Sequence, residues 1–319
     1  MERKVQISIV ITVYNEQENI KPLFNNIFDA FGENSGIEII FVDDGSTDDT
    51  PKVIHLIRDD RVKLIELSKN YGQSAAMAAG IDYATGDFIV TMDGDLQNDP
   101  DDILPMLDKL KKERLDLVAG IRVNRKDAKL KRKIPSKIAN AFIRVATNVK
   151  MKDYGCTLKV FRQHIAKTLE LYGEMHRFIP VLASMEGARI GQMNVKHHPR
   201  KYGESKYGLN RIMKVVSDLL LMLFRKKYMN KPMHLFGAAG ITLFSIGIII
   251  NIYLGILKVL GNDVWGKPLL MLGFMMIFVG VQFITVGIIA ELLMRIYYES
   301  QSKKHYKIRK ISETTKQKE

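Results

Sequence analysis

Cysteine is nearly absent: Cys156 stands alone in 319 residues. A single cysteine excludes an intramolecular disulfide and fits a reducing compartment. The start, Met1-Glu2-Arg3-Lys4, runs straight into a strand-like segment. It lacks the apolar core and small-residue cleavage site of a signal peptide. Acidic residues are scarce beside basic ones, 35 against 48, for a formal net charge of +13. That balance points to nucleic acid, an anionic membrane surface or a phosphorylated substrate. No clear Ser-His-Asp or Cys-His constellation stands out, so nothing indicates a serine or cysteine nucleophile. Internal repeats and low-complexity tracts are missing too, and the tail after Ile311 reads as disordered.

Charge itself is missing from two long stretches. Leu235 to Leu257 and Pro268 to Ala290 each run 23 residues without a charged side chain. Both exceed the roughly 20 residues that span a hydrocarbon core. The competing reading is a pair of buried helices in a soluble protein. Basic residues flank the pair: nine Lys/Arg in residues 200–231, seven in residues 303–319, and two in the intervening loop from Lys258 to Lys267. The positive-inside rule then puts both flanks in the cytoplasm and the short loop outside.

What is present begins with Val5 to Tyr14, β-branched and mostly apolar, as a strand buried on both faces should be. Asn15-Glu16 follows, then a helical pattern through Ile20, Leu23, Phe24, Ile27 and Phe31. A second strand, Ile37 to Val42, ends in Asp43-Asp44-Gly45-Ser46-Thr47-Asp48, and a helix starts near Thr50-Pro51. Val62 to Glu66 reads as a strand, Gly72 to Ala84 as a small-residue helix, and Asp87 to Met92 as the next strand. Pro100 to Lys112 is helical and Leu115 to Gly120 another strand. Strands alternating with helices indicate an α/β sheet, whose ligands bind at the carboxyl ends of the strands.

Two acidic clusters fall at such ends: Asp43-Asp44, and Asp93-Gly94-Asp95-Leu96-Gln97. The bland reading of the second is an acidic turn after a strand. The other reading makes Asp93, Asp95 and the Gln97 amide hard oxygen ligands for Mg²⁺ or Mn²⁺. Magnesium usually takes one or two protein carboxylates and fills its other positions with water and substrate phosphate. A diphosphate is then the natural partner. Gly94 is expected to let the loop fold back through backbone angles that other residues resist. Two acidic clusters at two strand ends favour a site over coincidence.

Residues 122–137 carry eight basic side chains and one acid, Asp127. Ile138, Ala139, Phe142, Ile143, Ala146 and Val149 follow at helical spacing. A second stripe runs through Leu209, Ile212, Met213, Val216, Leu219, Leu220 and Leu223. Beside a membrane domain, both read as helices lying against anionic headgroups. Several other signals carry little weight. Gly261 to Pro268 nearly fits a phosphate-binding loop but ends in proline, where serine or threonine is needed. Cys156 reads as a packed thiol and His197-His198 as structural. His176-Arg177 reaches the acceptor or sits on a loop surface. Asp153 caps or pairs with an arginine, or belongs to the site.

Together these motifs resemble the family 2 glycosyltransferases that move a sugar from a nucleotide onto a polyprenyl phosphate, of which dolichol-phosphate mannose synthase is the eponym. The resemblance rests on Val13-Tyr14-Asn15-Glu16, Val42-Asp43-Asp44-Gly45-Ser46 with Asp48, Asn70-Tyr71-Gly72-Gln73, Asp93 to Gln97 and Gly203-Glu204-Ser205-Lys206. Asp153-Tyr154-Gly155-Cys156 with Phe178-Ile179-Pro180 is most similar to the bacterial undecaprenyl-phosphate formamido-arabinose transferases. Many relatives have Asp-x-Gly-Asp where this chain has Asp153 to Cys156.

The resemblance implies a GT-A catalytic domain over residues 1–208 and an interfacial helix over 209–231. Two transmembrane helices follow over 232–297, then a basic tail over 298–319. It implies Mg²⁺ or Mn²⁺ at Asp95 and Gln97 with Asp93 close by, and a catalytic role for Asp93, Asp95 and Asp153. Tyr14, Glu16, Asp43, Gly94, Arg200 and Lys206 would hold the nucleotide sugar, UDP- or GDP-linked. Arg122, Arg132 and Ser136 would receive the phosphate of an undecaprenyl-type lipid. The expected protein sits in the cytoplasmic membrane with both termini inside, binds no nucleic acid, and assembles as a tetramer by family analogy. A processive polysaccharide synthase would share the first domain, but its Gln-x-x-Arg-Trp motif is missing: the only tryptophan is Trp265, preceded by Val264. A non-catalytic nucleotide-binding or scaffolding protein is the other alternative, and the intact Asp93, Asp95 and Gln97 argue against it.

Overall fold

The structure, a computed structural model, describes residues 5–32, 36–123, 149, 151–200, 224 and 232–300. Arg132, Ser136, Lys206, both amphipathic stripes apart from Val149, and the basic tail from residue 301 on lie outside the described residues. The chain divides into two compact units, Met1–Leu220 and Leu221–Glu319.

The first unit alternates strand and helix as its hydrophobic pattern dictates. Strands β1 (Ile7–Val13), β2 (Ile37–Asp43), β3 (Val62–Glu66) and β4 (Phe88–Asp93) are separated by α1 (Gln17–Phe31), α2 (Thr50–His55) and α3 (Gln73–Tyr83). After β4 come α4 (Ile103–Lys112), β5 (Leu117–Arg122), β6 (Lys159–Arg162), α5 (Ile179–Met185) and β7 (Ile190–Val195). They form one sheet in the order β3-β2-β1-β4-β6-β5-β7. β1 runs parallel to β2 and β4, β2 to β3, and β5 to β7. β6 lies antiparallel between β4 and β5.

The two-residue period of a strand sends alternate side chains to opposite faces. Ile9, Ile11, Ile39 and Phe41 meet Ile20, Leu23 and Ile27 of α1 and Met106 of α4 on one face. Val10, Ile40 and Val42 meet Ala76, Met77 and Ile81 of α3 on the other, with Ile179 of α5. Every residue of β1 and β2 is therefore buried. Full burial of each large aliphatic side chain contributes about 1.5–3 kcal/mol.

The amino ends of β1 and β2 are tied by a carboxylate. Ser8 and Glu38 are register partners, and Glu38 is 3% exposed. Its Oε1 accepts from the Ser8 hydroxyl at 2.5 Å, the Thr85 amide at 2.6 Å and the Thr85 hydroxyl at 2.8 Å. Lys63 Nζ donates to Oε2 at 2.7 Å. Burial alone pushes this carboxyl up, but Lys63, Ser8 and Thr85 outweigh it and hold the group at about 2.

In the second unit, α6 (Pro232–Val259) and α7 (Pro268–Ser300) are long and apolar enough to cross a membrane. Their most apolar windows have mean hydropathies of 2.1 and 2.3, and only 17% and 11% of those windows is buried. Most of each window is exposed, unlike the core helices of a soluble domain. The helices meet along glycines spaced seven apart. A Cβ on Gly247 would lie 2.7 Å from the Gly273 carbonyl oxygen, and one on Gly240 2.8 Å from that of Gly280. Glycine is what lets the two backbones approach, as membrane helices do where hydrophobicity supplies no drive between them.

Candidate active site

Register brings the two acidic clusters together. Asp43 pairs with Val13 on one side of β1, and Asp93 pairs with Thr12 on the other. Both carboxylates therefore stand at the carboxyl edge of the sheet, beside the turn of Tyr14, Asn15 and Glu16.

That turn is laced to the loop after β2. Asn15 takes a left-handed conformation at φ 53°. Its amide donates to Ser46 Oγ at 2.8 Å, and its Oδ1 accepts from the Thr47 amide at 2.8 Å. The Glu16 amide donates to Thr50 Oγ1 at 2.9 Å. Asp43 accepts from the Ser46 amide at 3.0 Å and from the Ser46 hydroxyl. Asp44 accepts from the amides of Tyr71 and Gly72 at 2.7 and 2.9 Å, which fixes the entry to α3. Burial pushes the Asp44 carboxyl up, against those two amides.

The loop after β4 corrects one expectation. Gly94 is not in the left-handed region; Leu96 is, at φ 60°. Gly94 is needed for a close approach, since a Cβ there would lie 2.5 Å from Val13 Cγ1. The fold-back falls two residues later, with the Gln97 amide donating to Asp95 Oδ1 at 3.2 Å.

Asp93 is held by groups on two elements. Gln73, the first residue of α3, donates to Oδ1 at 2.5 Å, and the Thr157 hydroxyl donates to Oδ2 at 2.9 Å. Burial first, and the charge of Asp95 second, raise the Asp93 carboxyl, against Thr157, Lys159 and Arg122. Asp95, 7% exposed, receives Arg200 Nη2 on Oδ2 at 2.9 Å. Arg200 Nη1 lies 3.7 Å from Glu16 Oε1, which joins the turn after β1 to the loop after β4.

A second charged group adjoins this one. Arg122, at the end of β5, grips Asp153 with two parallel bonds, Nε to Oδ2 at 2.7 Å and Nη2 to Oδ1 at 2.9 Å. Asp153 therefore pairs with an arginine, as one reading of it had it. Lys159 is 1% exposed, donates to the Cys156 carbonyl, and is driven toward its neutral form by burial. Cys156 is a packed thiol, fully buried, whose ionisation burial opposes first. His176 is 5% exposed, which overturns its surface reading. It sits 2.9 Å through Nδ1 from Ser74 Oγ and ties the segment before α5 to α3. His198 is structural: its amide donates to the Gln97 carbonyl at 2.9 Å and its Nε2 lies 3.1 Å from Asp99 Oδ2.

The structure thus gathers Glu16, Asp93, Gly94, Asp95, Gln97 and Arg200 at one edge, with Tyr14 on the turn after β1 and Asp43 at the end of β2. Sequence reading missed Gln73 and Thr157 as the partners of Asp93, and Lys159 beneath them. Gln73 lay inside a quoted motif, and Thr157 follows directly on Asp153 to Cys156. Among the described residues no three His, Cys, Asp or Glu side chains converge as a complete metal cage. Asp93 and Asp95 offer carboxylate oxygens, and a hard ion such as Mg²⁺ or Mn²⁺ usually takes one or two of these with water and substrate oxygens completing its shell. The Arg200 guanidinium neutralises Asp95.

Residues 8–170 match the model of glycosyl transferase family 2. A relative named dodecaprenyl-phosphate galacturonate synthase, from Rhizobium johnstonii, is 43% identical over 97% of this chain and 94% of its own. The undecaprenyl-phosphate 4-deoxy-4-formamido-L-arabinose transferase of Proteus mirabilis is 34% identical over 97% and 95%. Among solved structures, a Pyrobaculum calidifontis mannosyltransferase in complex with GDP-Man and Mn²⁺ aligns with a TM-score of 0.52 at 14% identity, over 93% of this chain and 76% of that one. Mycobacterium tuberculosis glucosyl-3-phosphoglycerate synthase, with Mn²⁺, UDP and phosphoglyceric acid, aligns at 0.54 and 15% identity, over 70% and 78%. The structural likenesses establish the GT-A fold, and by sequence the chain belongs to glycosyltransferase family 2.

Proposed function

We propose that this enzyme transfers one sugar from a nucleotide-sugar donor to a polyprenyl phosphate at the inner face of the cytoplasmic membrane, inverting the anomeric centre. The observation that carries the reading is the acidic edge of Asp93, Asp95 and Gln97, faced by Arg200 and Glu16, in a chain with two candidate spans. The relatives named for transfer to dodecaprenyl and undecaprenyl phosphate support the acceptor. The structural neighbours crystallised with Mn²⁺ support a divalent ion.

In this reading Tyr14, Glu16, Asp43 and Gly94 bound the nucleotide, and Asp93, Asp95 and Gln97 hold the metal. The bound ion supplies positive charge to the leaving diphosphate. Arg200 and Lys206 grip that diphosphate. A lipid phosphate oxygen attacks the anomeric carbon, the bond from that carbon to the diphosphate breaks, and the nucleoside diphosphate departs. The attacking phosphate is already anionic at neutral pH, so no strong base is required. Cations must instead offset repulsion between two phosphate-bearing substrates. Arg132 and Ser136 carry that part. Arg122 is engaged by Asp153, so it contributes by positioning the end of β5 as well as by charge. Both flanks of the span pair lie in the cytoplasm.

A donor screen tests the reading. Full-length protein in vesicles containing undecaprenyl phosphate is given labelled UDP- and GDP-sugars, UDP-galacturonate and a UDP-linked 4-deoxy-4-formamido-arabinose among them. One donor is expected to move its label into the organic phase. Release of free sugar with no lipid labelling from any donor would count against the proposal, and label in a growing polymer would favour the processive synthase.

A further inference from the structure

We infer that Arg200 is the resident counter-cation of the metal site, displaced when the ion binds, so that metal and donor load together. The inference rests on the metal reading above. Arg200 Nη2 sits 2.9 Å from Asp95 Oδ2 and Nη1 sits 3.7 Å from Glu16 Oε1. The backbone leading to Arg200 is stitched to the metal loop. His197 bridges Asn98 in antiparallel fashion, and the His198 amide donates to the Gln97 carbonyl at 2.9 Å. The Lys196 amide donates to Asp102 Oδ2 at 2.7 Å. The guanidinium is thus delivered to Asp95 by a strapped segment and is only 23% exposed.

A divalent ion on Asp95 would compete for the same oxygen and the same charge. Metal alone must break a charge-assisted bond and leave Arg200 without that carboxylate. With a diphosphate present, the released guanidinium meets a new anion, so each ligand favours the other. Coupling of this kind is reciprocal by thermodynamic necessity. Between turnovers, Arg200 keeps the acidic loop neutralised.

Mn²⁺ binding to the full chain in detergent, read from the free-ion electron paramagnetic resonance signal, tests this without reference to turnover. Arg200→Ala is expected to bind Mn²⁺ alone about tenfold tighter than the wild type, the scale of one charged hydrogen bond. The enhancement of Mn²⁺ affinity by UDP or GDP should shrink in the variant. Arg200→Gln, neutral and of similar length, should behave alike if truncation harms folding. Asp95→Asn in the Arg200→Ala background should erase the gain, which places it at this site. Equal or weaker Mn²⁺ binding by both Arg200 variants overturns the inference. If the wild type binds no Mn²⁺ even with UDP or GDP, the metal reading itself falls, and the inference with it.

Discussion

Replacing Asp95 with asparagine is expected to lower sugar transfer at least about a hundredfold, with shape preserved and only a charge removed. Asp95 accepts from the Gln97 amide through Oδ1 and from Arg200 through Oδ2; asparagine can keep the Oδ1 bond that closes the loop and loses the Arg200 ion pair, which ties no element of the core. Folding should therefore survive, and the loss should fall on the step where the diphosphate leaves. A hundredfold corresponds to about 2.7 kcal/mol of transition-state stabilisation. Asp93→Asn should also impair transfer strongly, because Asp93 sits between Gln73 and Thr157 beside the same charge. Steady-state rates for purified variants, with circular dichroism to confirm folding, check both. An Asp95→Asn enzyme that kept near-normal rates in EDTA would refute the metal assignment.

The second large effect is expected at the opposite end of the sheet. Glu38→Ala should cost about 2–4 kcal/mol of stability, because it strands the donors of Ser8 and Thr85 in a buried place. Lys63 is half exposed, so its share of the loss is small. Melting of the full chain in detergent at pH 7 should fall by several degrees. Transfer rates at low temperature should hardly change, since Glu38 stands at the amino ends of strands whose carboxyl ends carry the site. The folded carboxyl is held near 2 against an ordinary 4.5, so its stabilisation is complete above about 4.5 and is lost as pH falls toward about 2. The melting gap between wild type and Glu38→Gln should accordingly close over that interval. Equal melting of Glu38→Ala and wild type at pH 7 would show that the network does not stabilise the sheet.

β1, β2 and β4 were legible because strands buried on both faces are mostly apolar, as Ile7–Val13 and Ile37–Asp43 are apart from Ser8, Thr12, Glu38 and Asp43. The acidic clusters were legible because each directly follows such a run. β7 was missed: Ile-Gly-Gln-Met-Asn-Val is only partly buried and has neither an apolar run nor clean alternation. The reversed direction of β6 has no local signal, since strand polarity depends on the path of the chain between Arg122 and Lys159. Long-range pairs were equally hidden. Arg200 reaches Asp95 across 105 residues and Arg122 reaches Asp153 across 31, and spacing alone announces neither. The role of Gly94 was misread because a steric need and a torsional need leave the same letter in the sequence. The seven-residue spacing of Gly240 and Gly247, and of Gly273, Gly280 and Gly287, was there to be read. It marks a close contact between the helices, which the lack of charge that marks the spans does not.

The central claim is direct transfer of a single sugar to a lipid phosphate, and the product itself tests it most directly. Full-length protein with Mn²⁺, undecaprenyl phosphate and the donor found by screening should yield a lipid heavier by one sugar residue. Nuclear magnetic resonance of that lipid should give an anomeric configuration opposite to the donor's. A retained configuration, a lipid carrying several sugars, or undiminished product with all divalent metal removed would contradict the account.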